Sequence, residues 1–302
     1  LDACALAGVQ RWQPCTIETI EAEAASAPRS GPSRYRLHTS QGLVQAHNLV
    51  VATGGLSIPK IGATDFGYRI AKQFGLPIVA QRPGLVPLRF AGEDWAPYAD
   101  LAGVALPVRI STGEKKPAIA FDEDLLFTHR GLSGPAILQI SSYWQPGQPL
   151  TIDLLPHLDI AAALQEAKAS SKKQLPNLLA QWLPTRLAEA WCQHTPAWQG
   201  PVNQCSDKAL AQLAHSLSHW QITPSGTEGY AKAEVTLGGV DTQALAQQSM
   251  QAKQQPGLFF IGEVVDITGW LGGYNFQWAW ASAYSCAQAL PLPQAEPAGA
   301  AH

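Results

Sequence analysis

Phe259-Phe260-Ile261-Gly262-Glu263-Val264-Val265-Asp266, followed by Gly272-Gly273-Tyr274-Asn275-Phe276-Gln277-Trp278-Ala279-Trp280-Ala281, is the stretch whose reading decides the fold. An apolar strand stops at Gly-Glu and gives way, through a glycine-rich turn, to a helix of small and aromatic residues. Gly262 lets the backbone come close to a bulky ligand. Gly272 and Gly273 bring the chain to a helix start whose free N–H groups favour an electron-rich ring edge or a phosphate.

Working outward, the segment from Gln10 to Ala52 reads as short strands: Thr16–Ile20, Tyr35–Thr39, Leu43–Ala46 after a Gln41-Gly42 turn, and Leu49–Ala52. The first three form an antiparallel meander. The fourth is apolar on both faces, as in a buried parallel strand, and ends in Thr53-Gly54-Gly55. Residues 24–33 make a loop of small residues, Pro, Gly and Ser. Thr64 to Phe74 reads as a helix with Thr64 as N-cap and Gly75 as its stop. Pro83-Gly84-Leu85-Val86-Pro87-Leu88 is stiffened by two prolines and marks a crossing between domains. Residues 90–156 are β-patterned, with Val104–Ile110 the clearest strand, and residues 160–220 repeat Leu and Trp at helical spacing. Strand returns at Ala233–Val240. The Pro/Ala-rich tail, residues 291–302, reads as disordered. Ala3–Gly8 reads as the end of a helix, so the chain is expected to begin within a domain.

Composition excludes several classes. At 302 residues and 46% hydrophobic, the chain can bury two cores. Net charge is −3, and apart from Lys115-Lys116 and Lys172-Lys173 the basic residues are scattered, so no nucleic-acid partner is expected. The five cysteines are widely spaced and include no Cys-x-x-Cys, which fits a reducing cytoplasm and no metal. No apolar run reaches the roughly 18 residues of a membrane span.

With these residues laid out, the chain resembles the HI0933-like flavoprotein family. Four ordered stretches carry the resemblance: Val51–Pro59 with Gly62-Ala63-Thr64; Leu85-Val86-Pro87-Leu88; Leu126–Leu138, which contains Thr128-His129-Arg130-Gly131-Leu132-Ser133-Gly134-Pro135; and Val235–Val240 running on to Gly262-Glu263 and Gly272–Asn275. The resemblance implies an α/β fold: a doubly wound, Rossmann-like FAD-binding domain (residues 1–83 and 227–290) interrupted by an insertion, β-rich over 84–156 and helical over 157–226. It implies FAD as cofactor, with Thr53, Gly54, Gly55, Gly262, Glu263, Gly272, Gly273, Tyr274 and Asn275 around it. It also implies an NAD(P)H-dependent oxidoreductase that passes a hydride through the flavin to a small unsaturated or carbonyl-conjugated substrate, while a protein group or water supplies a proton. The alternative is a redox-silent flavin-binding or interaction protein. A flavoprotein that modifies RNA is disfavoured by the absence of a basic face and a catalytic cysteine cluster.

Three departures from the family stand out. The Gly-x-Gly-x-x-Gly turn that opens such domains, with its acidic residue about 20 positions later, is absent, so this chain by itself is expected to bind FAD poorly or not at all. Asp65 stands where a glycine is usual, and Trp270-Leu271 is bulky where smaller residues are expected.

Among individual residues, Glu263 directly follows a fully apolar strand, where a charge facing a ribose or amide is better motivated than one facing a core. Of the helix aromatics, only Tyr274 is assigned a functional role, Trp278 and Trp280 reading as packing. His129 is the candidate proton donor and Ser133 the candidate substrate anchor, in a loop opening a helix with Pro135 in its first turn. The same residues could simply satisfy local backbone groups. His215 and His219, at i,i+4, have no third ligand and read as a solvated helix face.

Overall fold

A computed structural model describes residues 2–22, 35–113 and 119–290. The expected loop 24–33, the tail 291–302 and Lys115-Lys116 lie outside the described residues. In chain order the elements begin with α1 (Asp2–Leu6), the strands β1 (Ile17–Ala22), β2 (Tyr35–Thr39), β3 (Gly42–Ala46) and β4 (Leu49–Val51), α2 (Phe66–Gln73) and β5 (Ile78–Gly84). There follow β6 (Leu88–Arg89), α3 (Gly92–Trp95), β7 (Ala105–Thr112), β8 (Ile119–Thr128), β9 (Gly131–Ser133), α4 (Pro135–Ser141) and β10 (Leu150–Asp153). A helical run, α5 (Ile160–Ser170), α6 (Leu175–Leu179), α7 (Thr185–Gln193) and α8 (Asp207–Ser218), leads to β11 (Trp220–Ile222) and β12 (Gly226–Thr227). The chain closes with β13 (Val235–Val240), β14 (Leu258–Phe260) and α9 (Tyr274–Ala289).

Two hydrophobic cores divide these elements. The larger core gathers residues from Leu88 to Ile222 and is built on a seven-stranded sheet of order β11-β10-β7-β8-β9-β6-β12, every pair antiparallel. β7 alternates exposed and buried residues through Arg109, the two-residue period of a sheet with one face on the core. Trp95, Tyr98, Phe127, Trp191 and Trp220 fill that core with ring contacts of 5.0–6.5 Å. The smaller core joins Ile20, Tyr35, Leu37 and Val51 to Tyr68, Phe259, Phe260, Val264 and Cys286.

The fold is therefore mixed α/β. Among the described residues, parallel pairing is confined to β4 with β14 and to a Val240–Val265 bridge, so a doubly wound sheet is not assembled from these residues alone. β4 is also less enclosed than its apolar sequence suggests, because Val50 is 36% exposed.

The cores are joined by β5 and β13, which pair antiparallel from Gly84 with Val235 to Ile78 with Val240. Arg82 reaches from β5 to the far end of α4 and donates to the carbonyls of Ser142 (2.6 Å) and Trp144 (3.4 Å). The Ser141 and Ser142 hydroxyls accept from Val86 N and Leu85 N. The last carbonyls of a helix lack partners within it, and a guanidinium supplies donors of the favourable sign there.

All five cysteines are free, with Cys4 exposed and Cys192 and Cys286 buried. Burial pushes the Cys192 thiol up to about 12 and raises that of Cys286 as well, so neither forms the reactive thiolate near neutrality. Thiol labelling of the native protein at pH 8, read by mass spectrometry, is expected to modify Cys4 rapidly and Cys192 and Cys286 only after unfolding. Labelling of Cys192 as fast as Cys4 would contradict this packing.

Candidate functional site

The site is organised around Thr236, a β13 side chain only 1% exposed. Its amide donates to Glu263 Oε1 (2.6 Å), its Oγ1 accepts from Leu56 N (2.7 Å), and its carbonyl accepts from the Thr268 hydroxyl (3.4 Å). One residue thus ties together the turn after β4, strand β13, the turn after β14 and the approach to α9. Gly55 is required where they meet: a Cβ there would lie 2.5 Å from Thr236 Oγ1 and 2.8 Å from Glu263 Oε1.

Over this knot opens a cavity of about 540 Å³ with predominantly apolar walls. Gly54, Gly262, Gly272 and Gly273 line it; all have positive φ, and a Cβ on Gly54, Gly262 or Gly273 would find no atom within 4 Å. Backbone therefore faces the cavity where side chains would otherwise fill it. No side chain caps α9, so its first-turn amides are open at the cavity edge. Trp278 fixes the opposite edge by donating its indole N–H to Gly262 O (3.0 Å).

The expected cofactor residues divide accordingly. Gly54, Gly262, Glu263, Gly272, Gly273 and Asn275 line the cavity; Thr53, Gly55 and Tyr274 do not. Thr53 Oγ1 packs against Gly67 of α2, which has no room for a Cβ beside it. Tyr274 is 62% exposed and lies over Gly269 and Gly272, shielding the turn from outside. Asn275 lines the cavity but spends its amide on Gly269, accepting from N (2.8 Å) and donating to O (3.1 Å). Trp278 and Trp280, read from sequence as packing, both line the cavity, and Trp280 is 75% exposed.

Sequence reasoning missed Glu234, an exposed carboxylate in the cavity wall just before β13; between Ala233 and Val235 it read as an outward-facing strand residue, and no motif set it apart. Nor did it explain Trp270-Leu271. Trp270 donates its indole N–H to Tyr143 Oη (2.5 Å) and stands edge-on to Phe121 at 5.2 Å, while Leu271 N donates to Gln139 Oε1 (3.1 Å). The bulky pair docks the turn before α9 onto the seven-stranded domain.

Beneath the site lies a second polar group. Tyr68, 3% exposed, has a hydroxyl with no hydrogen-bond partner among the described residues, and so has the nearby Tyr230. Burial, then the nearby Glu263 and Tyr230, hold the Tyr68 proton far above the ordinary phenol range.

His129 and Ser133 do not line this cavity. They belong to the β8–β9 hairpin, His129 at its tip and Ser133 paired with Leu126, where sequence suggested a loop. His129 lines a different cleft, on the seven-stranded domain. His215 and His219 stack with ring centroids 4.8 Å apart on the exposed side of α8, and no cluster of three metal-ligating side chains occurs among the described residues. No helix among those residues is long and apolar enough to cross a membrane.

Residues 82–235 match the family model described as the HI0933-like protein barrel and H2TH domain. The chain belongs to the HI0933-like family. It is 48% identical over 258 residues to a Ribosomal RNA dihydrouridine synthase of Haemophilus influenzae, covering 85% of this chain and 63% of that protein. A protein of the same name from Escherichia coli is 51% identical over 248 residues, covering 82% and 61%. A 3-dehydro-bile acid delta(4,6)-reductase of Clostridium scindens is 26% identical over 257 residues, covering 81% and 62%. The chain thus spans about three fifths of the length of these relatives, whose names denote redox enzymes. Two of the names overturn the expectation of no nucleic-acid partner. That expectation rested on scattered basic residues in the linear sequence, whereas strand pairing sets Arg89 opposite Gly131, next to Arg130.

The knot makes a quantitative prediction. Thr236→Val keeps the side-chain shape but removes the acceptor for Leu56 N, and is expected to cost about 1–3 kcal/mol in urea unfolding, with Thr236→Ser much closer to the parent. Equal stability of the parent and the valine variant would contradict the role given to this hydroxyl.

Proposed function

We propose that this protein is an FAD-dependent, NAD(P)H-consuming reductase of a uracil base in RNA, working in a reducing cytoplasm. In this reading residues 1–83 and 227–290 belong to a doubly wound FAD-binding unit, and residues 84–226 form the insertion that presents the substrate. The observation that carries it is the cavity: apolar walls, four backbone-exposing glycines and the uncapped start of α9 suit a flat heteroaromatic ring with an electron-rich edge. Bound FAD would supply hydride transfer between a nicotinamide and a carbon–carbon double bond conjugated to a carbonyl.

The chain's own groups have distinct tasks. The α9 amides stabilise negative charge on a ring carbonyl, as donors fixed in advance do. Asn275 and Trp278 hold the turn and Gly262 in place. Trp270 and Leu271 close the side facing the seven-stranded domain and exclude water. Glu234 stands in the wall as a carboxylate open to a polar substrate edge. The names of the two relatives at 48% and 51% identity support uracil as the reduced group. In that reduction the C5=C6 π bond is lost and two C–H bonds form, one from the hydride and one from a proton delivered by water. His129, outside the cavity, is not assigned the proton.

The test is anaerobic incubation of the protein with NADPH, protein-free ribosomal RNA and a large excess of FAD, which offsets the weak binding expected without a Gly-x-Gly-x-x-Gly turn, followed by nucleoside mass spectrometry. The expected product is uridine heavier by two hydrogens. Ala279→Trp, which fills the cavity from an exposed helical position without straining the backbone, should abolish it. NADPH consumption with unmodified RNA would overturn the RNA substrate, and reduction of a small conjugated ketone alone would move the protein to the class named for the third relative.

A further inference from the structure

A second cleft, of about 430 Å³, lies where β6 meets the β8–β9 hairpin; Arg89, His129, Arg130 and Ser225 line it, and Trp95 forms its floor. These residues are far apart in sequence and are assembled by register: Leu88 pairs with Leu132 and Arg89 with Gly131. Gly131 is required, since a Cβ there would collide with the Leu88 carbonyl.

The cleft is rigidly built. Thr128 Oγ1 accepts from Gly131 N (3.1 Å) and Arg130 N (3.4 Å), and its hydroxyl donates to Gly131 O (2.9 Å), closing the hairpin tip. Phe90 N donates to Arg130 O (3.2 Å), and Trp95, stacked on Phe90 at 4.9 Å, donates its indole N–H to Thr128 O (3.0 Å). Ser225 holds the Arg89 carbonyl through its amide (2.9 Å) and its hydroxyl (3.2 Å).

Electrostatics give the cleft its sign. Arg89 makes no ion pair among the described residues, and Arg130 lies 3.4 Å from Glu228 Oε2. Two guanidinium groups therefore stand against one carboxylate. Glu93 and Asp94 on α3 are exposed and do not line the cleft. A guanidinium presents a planar fork of donors that matches phosphate oxygens in pairs.

We infer that the Arg89–His129–Arg130 cleft binds a phosphodiester of the RNA backbone and orients the RNA for the reductase cavity. This rests on the reading that the substrate is RNA. Phosphate contacts fix the register of a nucleic acid without reading its bases, which is a positioning role. The dinucleotide reductant also carries phosphates, so the experiment must separate the two sources.

Binding of a short fluorescein-labelled RNA hairpin, followed by anisotropy across a salt series, tests the assignment. Arg89→Ala is expected to weaken binding several-fold and to lower the slope of log K against log salt by about one. Arg89→Lys should keep the slope and lose part of the affinity, which guards against a merely unfolded alanine variant. Arg109→Ala removes the same charge from an exposed pair with Asp122 and should leave hairpin binding unchanged. Unlabelled NADPH should not displace the hairpin, and Arg89→Ala should not raise the KM for NADPH. A raised KM for NADPH with unchanged RNA binding would overturn the inference in favour of the dinucleotide. Unchanged affinity and slope in Arg89→Ala, with RNA still reduced, would overturn the inference and leave the reductase reading intact. Failure of the parent protein to bind the hairpin would sink both.

Discussion

Three of the hydrogen bonds made by Thr236, through its amide, hydroxyl and carbonyl, are the constraint on which the site depends. Its amide, hydroxyl and carbonyl hold Glu263, Leu56 and Thr268, residues from three separate turns. The site forms from loops leaving strand ends, and such loops have few contacts of their own. A buried residue that engages three of them at once fixes their spacing. Gly55 is the complement of this arrangement, because only the absence of a Cβ lets its turn approach Thr236 and Glu263 so closely.

The same turns are also held from the side of the seven-stranded domain. Arg82 and the two serines at the end of α4 fix β5, while Trp270 and Leu271 fix the turn before α9. β5 and β13 run between these anchors as a single antiparallel pair. The cavity wall thus combines Ile261 and Trp278, which pack against the smaller core, with Trp270, which is docked on Tyr143 and Phe121 of the larger one.

What was legible in the sequence was what single residues must do locally. Gly8 and Gly75 end helices with positive φ, Pro135 sits in the first turn of α4, and β7 shows its alternation directly. The glycines at 54, 262, 272 and 273 were legible as points where the chain turns, and all four have positive φ and line the cavity. What was not legible depends on partners remote in the chain. Trp270 looked out of place until Tyr143 and Phe121 were seen beneath it. His129 looked catalytic because its loop precedes a helix, yet the short strand β9 pairs with β6 and turns that loop into a hairpin facing another cleft. The overall charge of −3 hid a local basic group made by the same pairing. Tyr274 carried the right residue type at the right helix start, but its side chain covers the outside of the turn.

The central claim is that the glycine-lined cavity accepts a flavin ring, and the most direct measurement is a fluorescence titration of lumiflavin with this chain. Lumiflavin carries the ring system without ribityl, phosphate or adenosine, so it probes the cavity alone. The account predicts saturable quenching that Ala279→Trp abolishes and Arg89→Ala leaves unchanged. Quenching that never saturates, or that survives the tryptophan in the cavity wall, would contradict it.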